Sequence, residues 1–261
     1  MSINNNAQDE QIEAWMFRVP YEHFALLLTL FILFTISLLL YVFNIYVFFL
    51  LIIGAVVYVQ LQQAQYLGNA VRVHLNQYPE IYGSFKNQAE KLGISRASLY
   101  IIQDPHLQAF TLGITHCTVV LTSALVEQLS QKELHFVIGH EFGHYKAGHT
   151  KLSTLFVPLG SNNVLSGLVF GFWNRKTEYS CDRCGLILTK DIDNAISTLI
   201  KLSVGGILYK KLNIKGYVAQ IKTAEKSSVK LSELLGEHPL TTNRIKNLMS
   251  FWKEDFVVKS N

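Results

Sequence analysis

Between His23 and Arg72 the chain carries no Asp, Glu, Lys or Arg, and most of those positions are Leu, Phe, Ile, Val or Tyr. This constrains the chain more than any other feature, because about 20 apolar residues already cross a hydrocarbon core of about 30 Å. Residues 24–43 are interrupted only by Thr29, Thr35 and Ser37, and a second apolar run over 45–60 is separated from the first by Asn44 alone. One helix through both would exceed the bilayer about twofold at roughly 1.5 Å per residue. The sequence therefore predicts a transmembrane helical hairpin over 24–61, a tail over 1–23, and a single domain over 62–261 on the same side of the lipid bilayer as the tail. A cleavable signal peptide does not fit, because Asp9, Glu10, Glu13 and Glu22 stand where a basic segment would be. Arg72, Lys86, Lys91 and Arg96 follow the second span, which points to a cytoplasmic catalytic side for this integral membrane protein.

Outside that stretch the chain reads as an ordinary soluble domain, so the overall 16% of charged residues reflects a local deficit. The net charge of +4 comes from scattered residues without a Lys/Arg run, which excludes a nucleic-acid partner. Cys117, Cys181 and Cys184 are too few for a disulfide framework and suit a reducing compartment. Cys181 and Cys184 form a C-x-x-C, but no second pair completes a structural zinc site, and the plain reading is two small residues on a buried helix.

Helical periodicity covers 69–92, with Gly93 as a stop. Strand patterns follow at 98–102, 108–115 and 117–122. Helices are expected over 123–129, 131–147, 177–188, 193–202, 218–225, 229–235 and 241–253. The fold class is α+β, mostly helical with a small sheet. A further uncharged stretch at 152–174 is broken by Pro158, Gly160, Ser161, Asn162 and Asn163 into pieces too short to cross. It reads as a broken helix on the domain or at the membrane surface, with a re-entrant segment as the alternative.

The helix expected over 131–147 starts with Ser130 and Glu133, a capping box, and carries His140-Glu-Phe-Gly-His144. Positions i and i+4 share a face, so both imidazoles reach one Zn2+ ion, with Glu141 able to approach water on the metal's open side. Apolar neighbours Phe136, Val137, Ile138 and Phe142 bury this helix, where bare histidines and a glutamate would need partners. The pattern H-E-x-x-H-x-x-G-x-x-H fails, since Ala147 and Thr150 stand at its later positions. The third ligand is instead expected from a later helix. Glu178 can supply it, while Asp182 one turn on accepts a hydrogen bond from a ligating His; the plain alternative is a pair of exposed helix charges. His238 precedes Pro239 and so sits on extended backbone, suited to donate to the oxyanion of a cleaved carbonyl or, alternatively, to cap or pack; Arg244 would brace this segment or a nearby carboxylate.

Together, His140-Glu-Phe-Gly-His144, Glu178-x-x-x-Asp182-Arg183 and the late His238-Pro239 with Arg244 resemble the M48 peptidases, a gluzincin group that includes the HtpX-type proteases. The resemblance runs from about residue 69 to 253. It implies a zincin-like metallopeptidase domain with zinc held by His140, His144 and Glu178, Glu141 as general base, and Asp182 orienting a histidine. It also implies an edge strand that pairs with extended protein or peptide substrate, and residues 108–113, with Phe110, Thr111 and Gly113, match its position. HtpX-type proteins carry two spans between the metal helix and the third ligand, where this chain has only 152–174. The expected activity is a membrane-anchored zinc-dependent endopeptidase acting on extended or misfolded proteins. The alternatives are a non-catalytic chaperone or scaffold with a structural metal site, and a zinc hydrolase of a non-peptide amide.

Overall fold

Regular structure begins in earnest where charge stops. In the computed structural model, which describes residues 11–151, 164–219 and 239–254, the uncharged stretch forms α1 (Glu22–Phe43) and α2 (Ile45–Gly68). Asn44 ends one and starts the other. Its backbone is extended, and its side-chain oxygen accepts hydrogen bonds from the N–H groups of Tyr46 and Val47 at 3.0 and 3.2 Å, satisfying two donors of the second helix. The segment Glu22–Val42 is long and apolar enough to cross a membrane. Phe31, Phe34, Leu50 and Ile53 face outward, the kind of apolar surface that water-soluble domains rarely leave bare. Helix α2 continues to Gly68, beyond the position 61 at which the sequence pattern ends the hairpin.

Next come β1 (Val71–Val73), α3 (Pro79–Lys91), β2 (Ala97–Ile102), β3 (Ala109–Leu112), β4 (Cys117–Thr122), α4 (Ser123–Gln128) and α5 (Gln131–Lys146). They are followed by α6 (Val164–Thr189), α7 (Ile192–Val204), α8 (Gly206–Tyr209), α9 (Ile214–Ala219) and α10 (Thr241–Trp252). The protein is mostly helical with a small mixed sheet of order β1-β2-β4-β3. Strands β2 and β4 run parallel, and the two outer pairs are antiparallel. Because β3 pairs only with β4, through registers such as Phe110↔Val120 and Thr111↔Val119, its other edge is open among the described residues.

Two sequence expectations change. The helix expected over 69–92 is a strand followed by a shorter helix: Tyr78 takes left-handed backbone (φ 61°) and Pro79 occupies the first turn of α3, which stops the helix from reaching further back. Val71 and Val73 pair instead with Ile101 and Leu99. The helix expected over 177–188 begins earlier, at Val164, so residues 164–174 continue into the segment that carries Glu178. Positions 152–163, which include the polar break in the sequence, and most of the helices expected over 218–225 and 229–235 lie outside the described residues.

Helix α5 occupies the centre. One side, with Val137, Ile138 and Phe142, joins Phe85, Leu99 and Leu121 in a core between α5, α3 and the sheet. Phe136 belongs to a second core with Leu186, Leu199, Ile245 and Leu248 from α6, α7 and α10. The Ser130 and Glu133 capping box fixes its first turn. Glycines let α6 approach closely: a Cβ built on Gly143 would lie 2.9 Å from Cys184 Cβ and 3.2 Å from Cys181 Cα, and one on Gly185 would lie 2.8 Å from the Phe136 carbonyl oxygen. Gly143→Ala is expected to push the two helices apart and to destabilise the protein by about 1–3 kcal/mol. Gly83→Ala, in α3 with nothing within 4 Å of its added Cβ, should leave the melting temperature unchanged or raised when both variants are followed by thermal unfolding.

Residues 11–21, which the sequence assigns to the tail, pack against the domain. Phe17 and Val19 are buried, the Val19 N–H donates to Ser180 Oγ at 3.0 Å, and Arg18 donates to the Ala147 carbonyl.

Candidate active site

The close contact of α5 and α6 sets the spacing of the side chains between them. His140 and His144, one turn apart on α5, bring their Nε2 atoms to 3.2 Å. From α6, Glu178 places Oε2 3.6 Å from His140 Nε2 and Oε1 3.6 Å from His144 Nε2. Ligand atoms held tetrahedrally at about 2.0–2.2 Å from one ion stand about 3.3–3.6 Å apart. These separations are of that size, with each imidazole Nε2 facing its own oxygen of the Glu178 carboxylate. Two imidazole nitrogens this close repel each other unless a proton or a cation accepts their lone pairs, so the donor set fits a divalent ion.

Behind the triangle, Asp182 Oδ1 lies 3.0 Å from His140 Nδ1. Burial opposes charge on Asp182, but the Arg244 guanidinium and its hydrogen bonds, with His140 beside them, hold the carboxyl below its ordinary range. An ionised Asp182 accepts the His140 Nδ1–H and leaves Nε2 free to act as a donor atom toward an ion. Burial also works against a charged His140, yet its hydrogen bond to Asp182 and the charge of Glu178 outweigh it and raise its pKa. Both carboxylates thus favour positive charge at this point. Arg244 binds Asp182 with two hydrogen bonds, Nε to Oδ2 at 2.8 Å and Nη2 to Oδ1 at 2.6 Å, and its Nη1 is 3.1 Å from Glu178 Oε2. It braces both carboxylates of α6 from α10.

Glu141 is 6% exposed. Thr111 on β3 donates its hydroxyl to Glu141 Oε2 at 2.8 Å, with the Glu141 carbonyl oxygen a second acceptor at 3.1 Å. The open-edged strand and the metal-type helix are therefore pinned together at the carboxylate. A cleft of about 590 Å³ runs between them, lined by Leu107 to Thr111 along the strand, by His140, Glu141 and His144 on the floor, and by Trp173, Asn174, Thr177 and Glu178 opposite.

Of the residues expected at the site, His140, Glu141, His144, Glu178, Asp182 and Arg244 come together, and Phe110 and Thr111 line the cleft. Gly113 does not line it. It lies past the end of β3, where φ of +108° and the His116 carbonyl leave no room for a side chain. His238 lies outside the described residues. Cys181 and Cys184 are free, buried and on one helix. Sequence reading passed over His149, whose Nε2 is 2.9 Å from Glu22 Oε1 and whose ring packs edge-on against His144 at 5.3 Å between centroids. A histidine five residues past a ligand-type histidine has no helical spacing that flags it.

Paired helix-borne imidazoles, a carboxylate from a second helix, and a glutamate beside them under an open strand are the layout of a metallopeptidase. The chain belongs to peptidase family M48, whose family model matches residues 76–171 and 161–251. Members of this family are metal-dependent. Over 183 residues the chain is 30% identical to a plastoglobule-localized metallopeptidase 48 of the chloroplast from Arabidopsis thaliana, an alignment covering 65% of this chain and 53% of that protein. It is 25% identical over 228 residues to a protease HtpX homolog of Streptococcus uberis, covering 70% of this chain and 76% of the relative. A protease HtpX homolog of Tropheryma whipplei is 32% identical over 113 residues, 40% of this chain and 39% of its own. The chain thus spans about half the length of the Arabidopsis relative.

Proposed function

We propose that the protein is a membrane-anchored zinc endopeptidase that cleaves extended or misfolded protein substrates. The observation that carries this reading is the convergence of His140, His144 and Glu178, the two imidazole Nε2 atoms 3.2 Å apart and each 3.6 Å from one oxygen of the Glu178 carboxylate, backed by Asp182. Two nitrogens and one carboxylate oxygen are a ligand set of catalytic zinc, which when bound supplies a Lewis acid for the scissile carbonyl and an acidified water. Glu141, its carboxylate positioned by Thr111, accepts a proton and passes it to the leaving amine. Extended substrate adds as a strand along the open edge of β3 at Phe110 and Thr111, where backbone pairing tolerates many sequences. Such an edge is of little use to a hydrolase of small amides. His238, on the approach to α10, donates to the developing oxyanion. Asp182 orients His140, and Arg244 keeps Asp182 and Glu178 in place.

In this reading α1 and α2 cross the bilayer as a hairpin, and the residues that follow α2 form the catalytic part on the cytoplasmic side. The outward apolar residues of both helices and the basic residues that follow them support it. The test is metal removal and return. Protein purified in detergent should hydrolyse casein, lose activity to a chelator, and regain it with about one Zn2+ per chain. Protein that binds zinc but cuts no protein substrate would favour the scaffold role instead.

A further inference from the structure

Beside the catalytic triangle lies a second group of donors that shares His144 with it and adds two residues the proposed reaction does not use. His144, His149 and Cys181 offer ligand atoms that all lie within 4.8 Å of one another. Cys181 Sγ is 3.6 Å from His149 Nδ1. Sulfur at about 2.3 Å and nitrogen at about 2.0–2.1 Å from one tetrahedral ion stand about 3.5 Å apart. The separation therefore suits two ligands of a single ion.

His149 is also oriented for it. Its Nε2 meets Glu22 Oε1 at 2.9 Å, and Glu22 is only 4% exposed and held by Ser180 and Arg18. A carboxylate there keeps the ring proton on Nε2 and turns the Nδ1 lone pair toward the sulfur, as outer carboxylates do for metal-binding histidines. His149 and His144 line the cleft, so an ion entering by the route to the catalytic position can reach both.

We propose that His144, His149 and Cys181 form a second, alternative ion position that takes a soft divalent cation of the cadmium type, and that filling it silences the peptidase by drawing His144 away from His140 and Glu178. The proposal rests on the catalytic reading above, because His144 is the shared ligand. Choice between the positions follows ligand softness: the catalytic set has a carboxylate oxygen where the second set has a thiolate, so harder ions stay with Glu178 and softer ones move to Cys181. Coordination at sulfur releases the thiol proton to solvent. In the metal-free protein the same two atoms form a thiol-to-imidazole hydrogen bond, which the ion replaces.

The test uses the full chain in detergent, stripped of metal and loaded separately with Zn2+ and with Cd2+. The Cd2+ form should show sulfur-to-metal charge-transfer absorption and no casein hydrolysis. Cys181→Ser should lose that absorption and bind Cd2+ about tenfold or more weakly, with Zn2+ affinity unchanged; Cys181→Ala, which removes the donor without adding a hydroxyl, should do the same. Glu178→Ala should behave in reverse, weakening Zn2+ and keeping the Cd2+ absorption. Cd2+ binding without sulfur absorption, or Cd2+ affinity unaltered in both Cys181 variants, overturns the second position and leaves the catalytic one standing. A Glu178→Ala protein with wild-type Zn2+ affinity overturns the catalytic ligand set instead.

Discussion

Glu141→Gln is expected to lower kcat for casein hydrolysis by about 10²–10⁴-fold, the usual worth of a positioned general base, while the protein keeps its metal. The substitution preserves shape and the capacity to accept from Thr111, whose hydroxyl reaches Glu141 Oε2 at 2.8 Å. What it removes is the ability to take up a proton. Because no ligand of the triangle changes, metal content measured on the same preparation should match wild type. Equal zinc-dependent rates for variant and wild type would remove Glu141 from the reaction.

Glu178→Ala should act one step earlier, on metal retention. Its two oxygens each lie 3.6 Å from an imidazole Nε2, so truncation leaves two nitrogens where three protein ligands are needed for tight binding at an open catalytic site. It also takes away one of the two carboxylates that Arg244 bridges. Zinc affinity is expected to fall by more than about 100-fold, beyond the 10–100-fold typical when only an outer partner is lost, and peptidase activity should vanish with it. Elemental analysis after gel filtration, paired with thermal unfolding to check that the fold survives, decides the matter. A full complement of zinc in the variant would exclude Glu178 as a ligand.

The parts of this centre that were readable in the sequence are those governed by local geometry. The i, i+4 spacing of His140 and His144 and the Ser130 and Glu133 cap belong to one helix and depend on no other element. Glu178 and Asp182 were readable for the same reason, as one face of a second helix. The strand at Val71–Val73 was not, because three residues acquire that identity only by pairing with β2. The early start of α6 was hidden by the polar interruption at Pro158 to Asn163. The sequence marks Thr111 as a substrate-side residue, but the contact of its hydroxyl with Glu141 is set by how β3 crosses α5 and has no local signature. His149 and Glu22 meet across 127 residues of chain, with no periodicity linking them.

That last pairing has a practical side. Glu22 opens α1, and through His149, Ser180 and the stretch at Arg18 and Val19 it closes the space between the end of α5 and the middle of α6. The apolar helix α1 thus contributes its first residue to the packing beside the centre. A version trimmed back to residue 69 for solubility would lose a buried acid and leave His149 facing a gap beside one of the two histidines on which the centre is built.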